Sequence, residues 1–174
     1  MKHGVYVREQ KTSVSTPVVA ESGVPFVVGT APVHSAESPA ALFTPVLCTD
    51  WEDAVKKLGY SDDWKTYTIC EVMYSHFKLF QRQPIIFCNV LDPSTNKEAV
   101  AGAEVTLSGK QAKLPFDAIL SSLVVKAASS SESALVKDTD YAAYYSDGNL
   151  IVETIEDGAA KAATKLYISY DKIK

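Results

Sequence analysis

Apolar residues follow two different patterns along the chain, and the change falls near residue 97. Before it, short continuous apolar runs alternate with helical spacing. "PFVVG" (25–29), "PVLC" (45–48) and "IIFCNVL" (85–91) are apolar at successive positions, which predicts strands covered on both faces. Between the last two runs the spacing predicts two helices. Asp50 stands at an N-cap, Asp53 at the capping-box position and Gly59 at the close, with Trp51, Val55 and Leu58 on one face. The second helix carries Ile69, Val72, Met73, His76, Phe77 and Phe80 as an apolar stripe that ends before Pro84. Strand, strand, helix, helix, strand predicts the start of an α/β layer.

Turn-forming residues cluster in "LDPSTNKEAVAG" (91–102), near which a domain boundary is placed. Beyond it the apolar period becomes two. "AEVTL", "AILSSLVVKA", "ALVKD", "DYAAYY", "NLIVETI" and "KLYISYDKI" are read as short strands, with Asp147-Gly148 as a hairpin turn and "AASSSESA" (127–134) as a loop. The predicted class is α+β or α/β. An extended arm and linker occupy 1–22, a partial α/β layer 23–96, and a small antiparallel β-barrel or sandwich 97–174.

The opening segment "GVYVREQ" (4–10) is itself strand-like, with Val5 and Val7 on one side and Tyr6 on the other. The Ser/Thr-rich "KTSVSTPVVAESG" separates it from the first buried run, leaving it no evident partner in its own domain. A free strand edge is a hazard. Addition to the sheet of another copy satisfies the backbone and sets register through alternate side chains. Roughly 20 extended residues reach ~65 Å, more than the width of a small domain. Four or five net hydrogen bonds at about 0.5–1.5 kcal/mol each are too weak for an isolated dimer but sufficient when every subunit repeats the contact.

Composition narrows the chemistry. The chain has 174 residues, 47% hydrophobic and 22% charged, with a net charge of −4, as expected of a globular protein. No cluster of Lys and Arg is long enough to track a phosphate backbone, so nucleic acid is not an expected partner. No apolar run approaches the ~20 residues of a membrane span, and "MKHGVYVREQ" lacks the apolar core of a signal peptide, which predicts synthesis in a cytoplasm and no membrane insertion. Cys48, Cys70 and Cys88 are widely spaced in apolar surroundings and read as reduced core residues.

Catalytic patterns are missing. His3, His34 and His76 have no partner at ligand spacing, and His76 on its apolar stripe reads as a hydrogen-bonded core histidine. There is no G-x-S-x-G elbow, and "VVGTAP" lacks the remaining glycines of a nucleotide fingerprint. "DTDYAAYYSDG" (138–148) has Ala143 where a calcium loop needs glycine. Glu52 and Asp53 belong to a helix start, Asp62 and Asp63 to a solvated turn. No enzyme activity, cofactor or metal is expected.

Four stretches, in order, carry a resemblance to a known family. "GVYVREQKTSVSTPVVAESGVPFVVGTAPVH" is similar to the opening of contractile tail sheath proteins of phages and phage-derived particles, particularly those of Firmicutes. It has Gly4, Tyr6 and Glu9, then the Ser/Thr linker, then the "FVVGTAP" strand. "PVLCTDWEDAVKKLGY" resembles the family's strand followed by a helix with a closing Gly, and "LPFDAILSSLVV" with "DTDYAAYYSDGNLIVE" resembles its inserted β-rich domain. Family members are longer and return to complete the α/β layer, so the resemblance implies that this chain corresponds to the N-terminal portion.

It also implies a mechanical role. Subunits stack as rings, usually hexameric, around a rigid tube and contract to drive the tube through a cell envelope, in a virion tail or phage-tail-like particle. The implied partners are further copies of the chain, the tail tube protein, the baseplate and the tail terminator. Gly4, Val5, Tyr6, Val7 and Glu9 would form the inter-subunit arm, and Thr12, Ser13, Ser15 and Thr16 the hinge. Two rival readings are a non-polymerising binding module that uses the Tyr-rich hairpin 141–155, and a small α/β enzyme that uses Cys48 or His34.

Overall fold

The computed structural model describes residues 23–127 and 133–174. The predicted arm Gly4, Val5, Tyr6, Val7, Glu9 and hinge Thr12, Ser13, Ser15, Thr16 lie outside the described residues, as does most of the predicted 127–134 loop. The described residues mix helix and strand in an α+β arrangement with three three-stranded sheets among them.

The first sheet contains β1 (Phe26–Gly29), β2 (Val46–Cys48) and β3 (Ile85–Asn89) in the order β1-β3-β2. β1 runs parallel to β3 and β2 antiparallel to it. Helices α1 (Trp51–Leu58) and α2 (Thr68–Met73) cover one face, and Val27, Val46, Cys48, Ile85 and Phe87 turn inward to meet Ala54, Leu58, Ile69 and Met73. The other face carries Phe26, Val28, Ile86 and Leu47, and no helix packs on it among the described residues. Of the runs read as strands covered on both faces, the outer two, β1 and β2, are therefore covered on one, while the central β3 stays shielded on both, with Cys88 8% exposed on the open side. Continuous apolar sequence reports apolar surroundings, and these strands meet helices on one side only.

α1 forms where its end signals place it. The Asp50 carboxylate accepts from Asp53 N–H at 2.8 Å, and Asp53 reaches back to Thr49 N–H at 3.2 Å. Gly59 closes the helix at φ 73°, where a Cβ would lie 2.4 Å from the Pro32 carbonyl oxygen, so only glycine fits. Replacing the cap, Asp50→Ala, is expected to lower stability by about 1 kcal/mol in chemical denaturation.

The second helix departs from its predicted stripe. After Met73 it widens into a π-helical turn, Tyr74–Leu79, with Phe80 N–H bonding the Ser75 carbonyl five residues back. Each such turn takes one residue more than an α turn, so the register slips. Ile69, Cys70, Met73 and Phe77 end inside while Phe80 is 69% exposed. His76 sits half-buried with Nδ1 unpaired among the described residues, not the hydrogen-bonded core histidine its position predicted.

The remaining strands are β4 (Lys97–Thr106), β5 (Gln111–Pro115), β6 (Val124–Lys126), β7 (Tyr141–Ser146), β8 (Asn149–Thr154) and β9 (Lys165–Ile173). They form antiparallel sheets of order β4-β9-β6 and β5-β8-β7, and neither closes into a barrel. Both sheets feed one buried cluster that includes Leu114, Val125, Leu150, Val152, Leu166 and Ile168. Asp147-Gly148 is the predicted two-residue turn, with φ 48° and 67° matching the right-handed twist of its strands.

Other local expectations fail. The turn-rich boundary stretch 91–102 is strand from Lys97 onward, because β9 is long enough to pair with it over both sides of a bulge between Val100 and Ala103. "QAKLP" becomes β5 despite its polar residues, since only Ala112 and Leu114 need face inward. "AILSSLVVKA" holds a 3-10 turn, Leu120–Ser122, before the short β6, and "ALVKD" contributes only a bridge from Lys137 to Tyr141.

Candidate functional site

Two features stand out: the open face of the first sheet and the junction between the two buried clusters. The open face follows from register. Phe26, Ile86 and Leu47 lie in one row across three strands, with Val28 beside Cys88 in the next and Val90 beyond. Phe26 is 54% exposed, Val28 56%, Leu47 47% and Val90 38%. Grouped large apolar side chains on one sheet face set this surface apart, since isolated exposed apolar residues are ordinary but grouped ones are not.

Asn89 anchors this sheet from its inner face. It is 1% exposed, and its Oδ1 accepts from Ala31 N–H at 2.9 Å and Leu91 N–H at 3.1 Å while Nδ2 donates to the Leu91 carbonyl at 3.0 Å. Thr30 and Thr68 brace the end of β1 against the start of α2: each backbone N–H donates to the other's hydroxyl, at 3.1 and 3.0 Å.

The junction is centred on His34, which the 3-10 turn Val33–Ser35 projects toward the β-rich half. Its Nε2 donates to the Phe116 carbonyl at 3.0 Å, which leaves the neutral tautomer with an Nδ1 lone pair that meets no partner among the described residues. Tyr67, Phe116 and Tyr145 surround the ring at centroid distances of 6.0, 5.5 and 5.9 Å. Tyr145 is itself fixed, donating to the Ala118 carbonyl at 2.7 Å and accepting from Leu120 N–H at 3.2 Å. Tyr67, Phe116 and Asp117 border a cavity of about 310 Å³.

Burial holds His34 below the ordinary histidine range, against the opposing effects of the Phe116 carbonyl and the Asp117 charge. The folded protein therefore binds this proton less readily than the unfolded chain. His34's contribution to stability is complete above about pH 6.5 and declines as the pH falls below it, with a slope of at most about 1.4 kcal/mol per pH unit, until the folded-state histidine protonates. Urea melts at pH 7 and pH 5.5 are expected to show this loss, and His34→Gln to reduce it.

The sequence pointed to Cys48, Cys70 and Cys88 as reduced core residues, and all three are buried free thiols. Burial pushes the Cys48 and Cys70 thiols up to about 11, so little thiolate exists at neutral pH. The three acidic residues of 138–148 do not converge. Asp140 instead accepts from Val136 and Ala159 N–H, both at 2.8 Å, and ties two loops together. Among the described residues no group of three or more His, Cys, Asp or Glu is placed to hold a metal. No helix among them is long and apolar enough to cross a membrane.

The hairpin face considered for a binding module is mostly spent internally: Tyr141 is buried, Tyr145 is bonded as above, and Tyr144 donates to Glu153 at 2.7 Å. Sequence reasoning missed Asn89, Phe116 and Asp117. Phe116 and Asp117 lie about 80 residues from His34 with no spacing signal to join them. No family model, curated protein or solved structure matches the chain.

Proposed function

We propose that the chain is a structural subunit of a contractile tail sheath, assembling with further copies of itself into stacked rings around a tail tube. The observation that carries this reading is the open apolar face of the first sheet, where Phe26, Val28, Leu47 and Val90 stand at 38–56% exposure on a braced scaffold. Such a surface is stable in water only at a cost that association removes. The Ser/Thr-tethered strand-like segment at 4–10 adds a second means of joining copies. A contact between two different surfaces repeats without closing, which builds rings and helical tubes.

On this reading the two antiparallel sheets form a sandwich that projects outward, and the α/β layer faces the neighbours and the tube. Contraction needs no nucleotide, because the extended packing stores the energy and larger interfaces release it. The further partners are the tube protein, the baseplate and the tail terminator, within a virion tail or related particle.

Negative-stain microscopy of the purified chain tests this. Rings or tubes are expected, and deletion of residues 1–10 is expected to abolish them while leaving a folded monomer. A glycan ligand found for a chain that never associates would instead favour the binding-module reading.

A further inference from the structure

Four side-chain polar atoms of the described residues are buried without a hydrogen-bond partner, and three of them stand at the junction: His34 Nδ1, the Tyr67 hydroxyl and Asp117 Oδ1. A buried polar group left unpaired costs free energy, and native proteins keep few of them. Tyr67 is only 2% exposed. The Asp117 carboxylate has no ion pair among the described residues either. Its charge still reaches the other two groups. Burial and then the Asp117 charge push the Tyr67 phenol up, and the same charge opposes the fall at His34. Where a fold keeps polar groups that weaken it, a functional site is the expected reason.

Tyr67 and Asp117, one from each half of the chain, border the cavity of about 310 Å³. Backbone bonds fix both walls. On one side Tyr67 N–H donates to the Asp63 carbonyl at 2.9 Å, and Asp63 N–H to the Ser61 hydroxyl at 3.2 Å. On the other, Ala118 N–H donates to the Pro115 carbonyl at 3.1 Å, and Ile173 N–H to the Asp117 carbonyl at 2.9 Å. The lining sets two carboxylates, Asp63 and Asp117, against one ammonium, Lys174. Tyr67 and Phe116 meet edge to face at 6.2 Å and add aromatic wall, which attracts cations. The volume lies at the small end of ligand pockets, and the described residues hold no cluster fit for a metal.

We propose that this cavity binds a small organic cation, an ammonium or guanidinium compound, with its N–H donors on the Asp117 carboxylate and its charge against the Tyr67 and Phe116 rings. An N–H donor seated there gives Asp117 the charge-assisted bond it lacks. The phenol oxygen of Tyr67, which both donates and accepts, takes a second. A cation also offsets the desolvation of an unpaired carboxylate, which a neutral molecule of the same shape does not. Because the two halves of the chain each supply a wall, the bound cation ties them together. The site goes beyond the sheath reading and does not depend on it.

The test titrates agmatine, which carries a guanidinium and an ammonium, and putrescine into the full chain at constant ionic strength, with butanediol as the neutral control. The thermal midpoint is followed. A saturable rise with both cations and none with the diol is expected. An equal rise with the diol, or none with either cation, overturns the proposal.

Asp117→Asn keeps the shape and removes the charge, and is expected to weaken agmatine binding at least about tenfold. The carboxylate has no partner in the ligand-free chain, so the same substitution is expected to leave the ligand-free midpoint unchanged or to raise it. Tyr67→Phe removes the unpaired hydroxyl and is expected to act in the same two directions. In either variant, a ligand-free midpoint that falls shows a group that serves the fold, and unchanged affinity shows binding elsewhere. Each of these results contradicts the proposal.

Discussion

A double substitution, Phe26→Glu with Leu47→Glu, is expected to raise the concentration needed for association at least about a hundredfold while leaving the folded subunit intact. Both side chains are half exposed in the subunit and lie in one row across the sheet, on either side of Ile86. Burying the exposed half of such a side chain at an interface contributes about 1 kcal/mol, and a carboxylate in its place has in addition to be desolvated without a partner, at several kcal/mol. Two such losses total well over 3 kcal/mol, and each 1.4 kcal/mol is a factor of ten. Within the subunit the same positions face away from the helices, so the thermal midpoint should move little. Sedimentation velocity reads association and calorimetry reads the midpoint. A midpoint that collapses with the double substitution would mean that the face is internal packing, not a contact surface.

Asn89→Ala is expected to be the most damaging single truncation outside the apolar core, lowering stability by about 2–4 kcal/mol. The side chain is 1% exposed and makes three hydrogen bonds, to Ala31 N–H, Leu91 N–H and the Leu91 carbonyl. Truncation leaves buried backbone groups unpaired at about 1–3 kcal/mol each when water cannot reach them. It also frees the loop after β1 from the end of β3. Guanidinium denaturation measures the loss, and a change below about 1 kcal/mol would show that water replaces the amide.

Local signals in the sequence account for much of the first half. The Asp50, Asp53 and Gly59 end signals place α1 to the residue, because each acts within one turn of backbone. Asp147-Gly148 sets its hairpin for the same reason. What failed needed partners distant in sequence. Lys97 to Gly102 carries no strand signal of its own and is strand because β9 lies alongside. Phe80 leaves the helix stripe because a π turn intervenes, and nothing in a 3.6-residue pattern announces it.

The candidate surfaces divide in the same way. Phe26, Val28 and Leu47 were read as apolar strand residues, but their exposure depends on where the helices pack, and among the described residues none packs on that face. The hydrogen bond from Lys57 Nζ to the Leu47 carbonyl was invisible, since it joins a helix to a strand. His34 was read as a histidine without a partner at ligand spacing and as a candidate only of the rival enzyme reading. Its place between Tyr67, Phe116 and Tyr145 arises from packing between halves of the chain that no periodicity links.

The central claim is self-association through the first sheet and the opening segment. Sedimentation velocity of the full chain over a wide range of concentration, beside the chain lacking residues 1–10, addresses it most directly. The account predicts large, concentration-dependent species for the full chain and a folded monomer for the truncated one. A full chain that sediments as a monomer at every concentration, or a truncated chain that associates equally well, would contradict it.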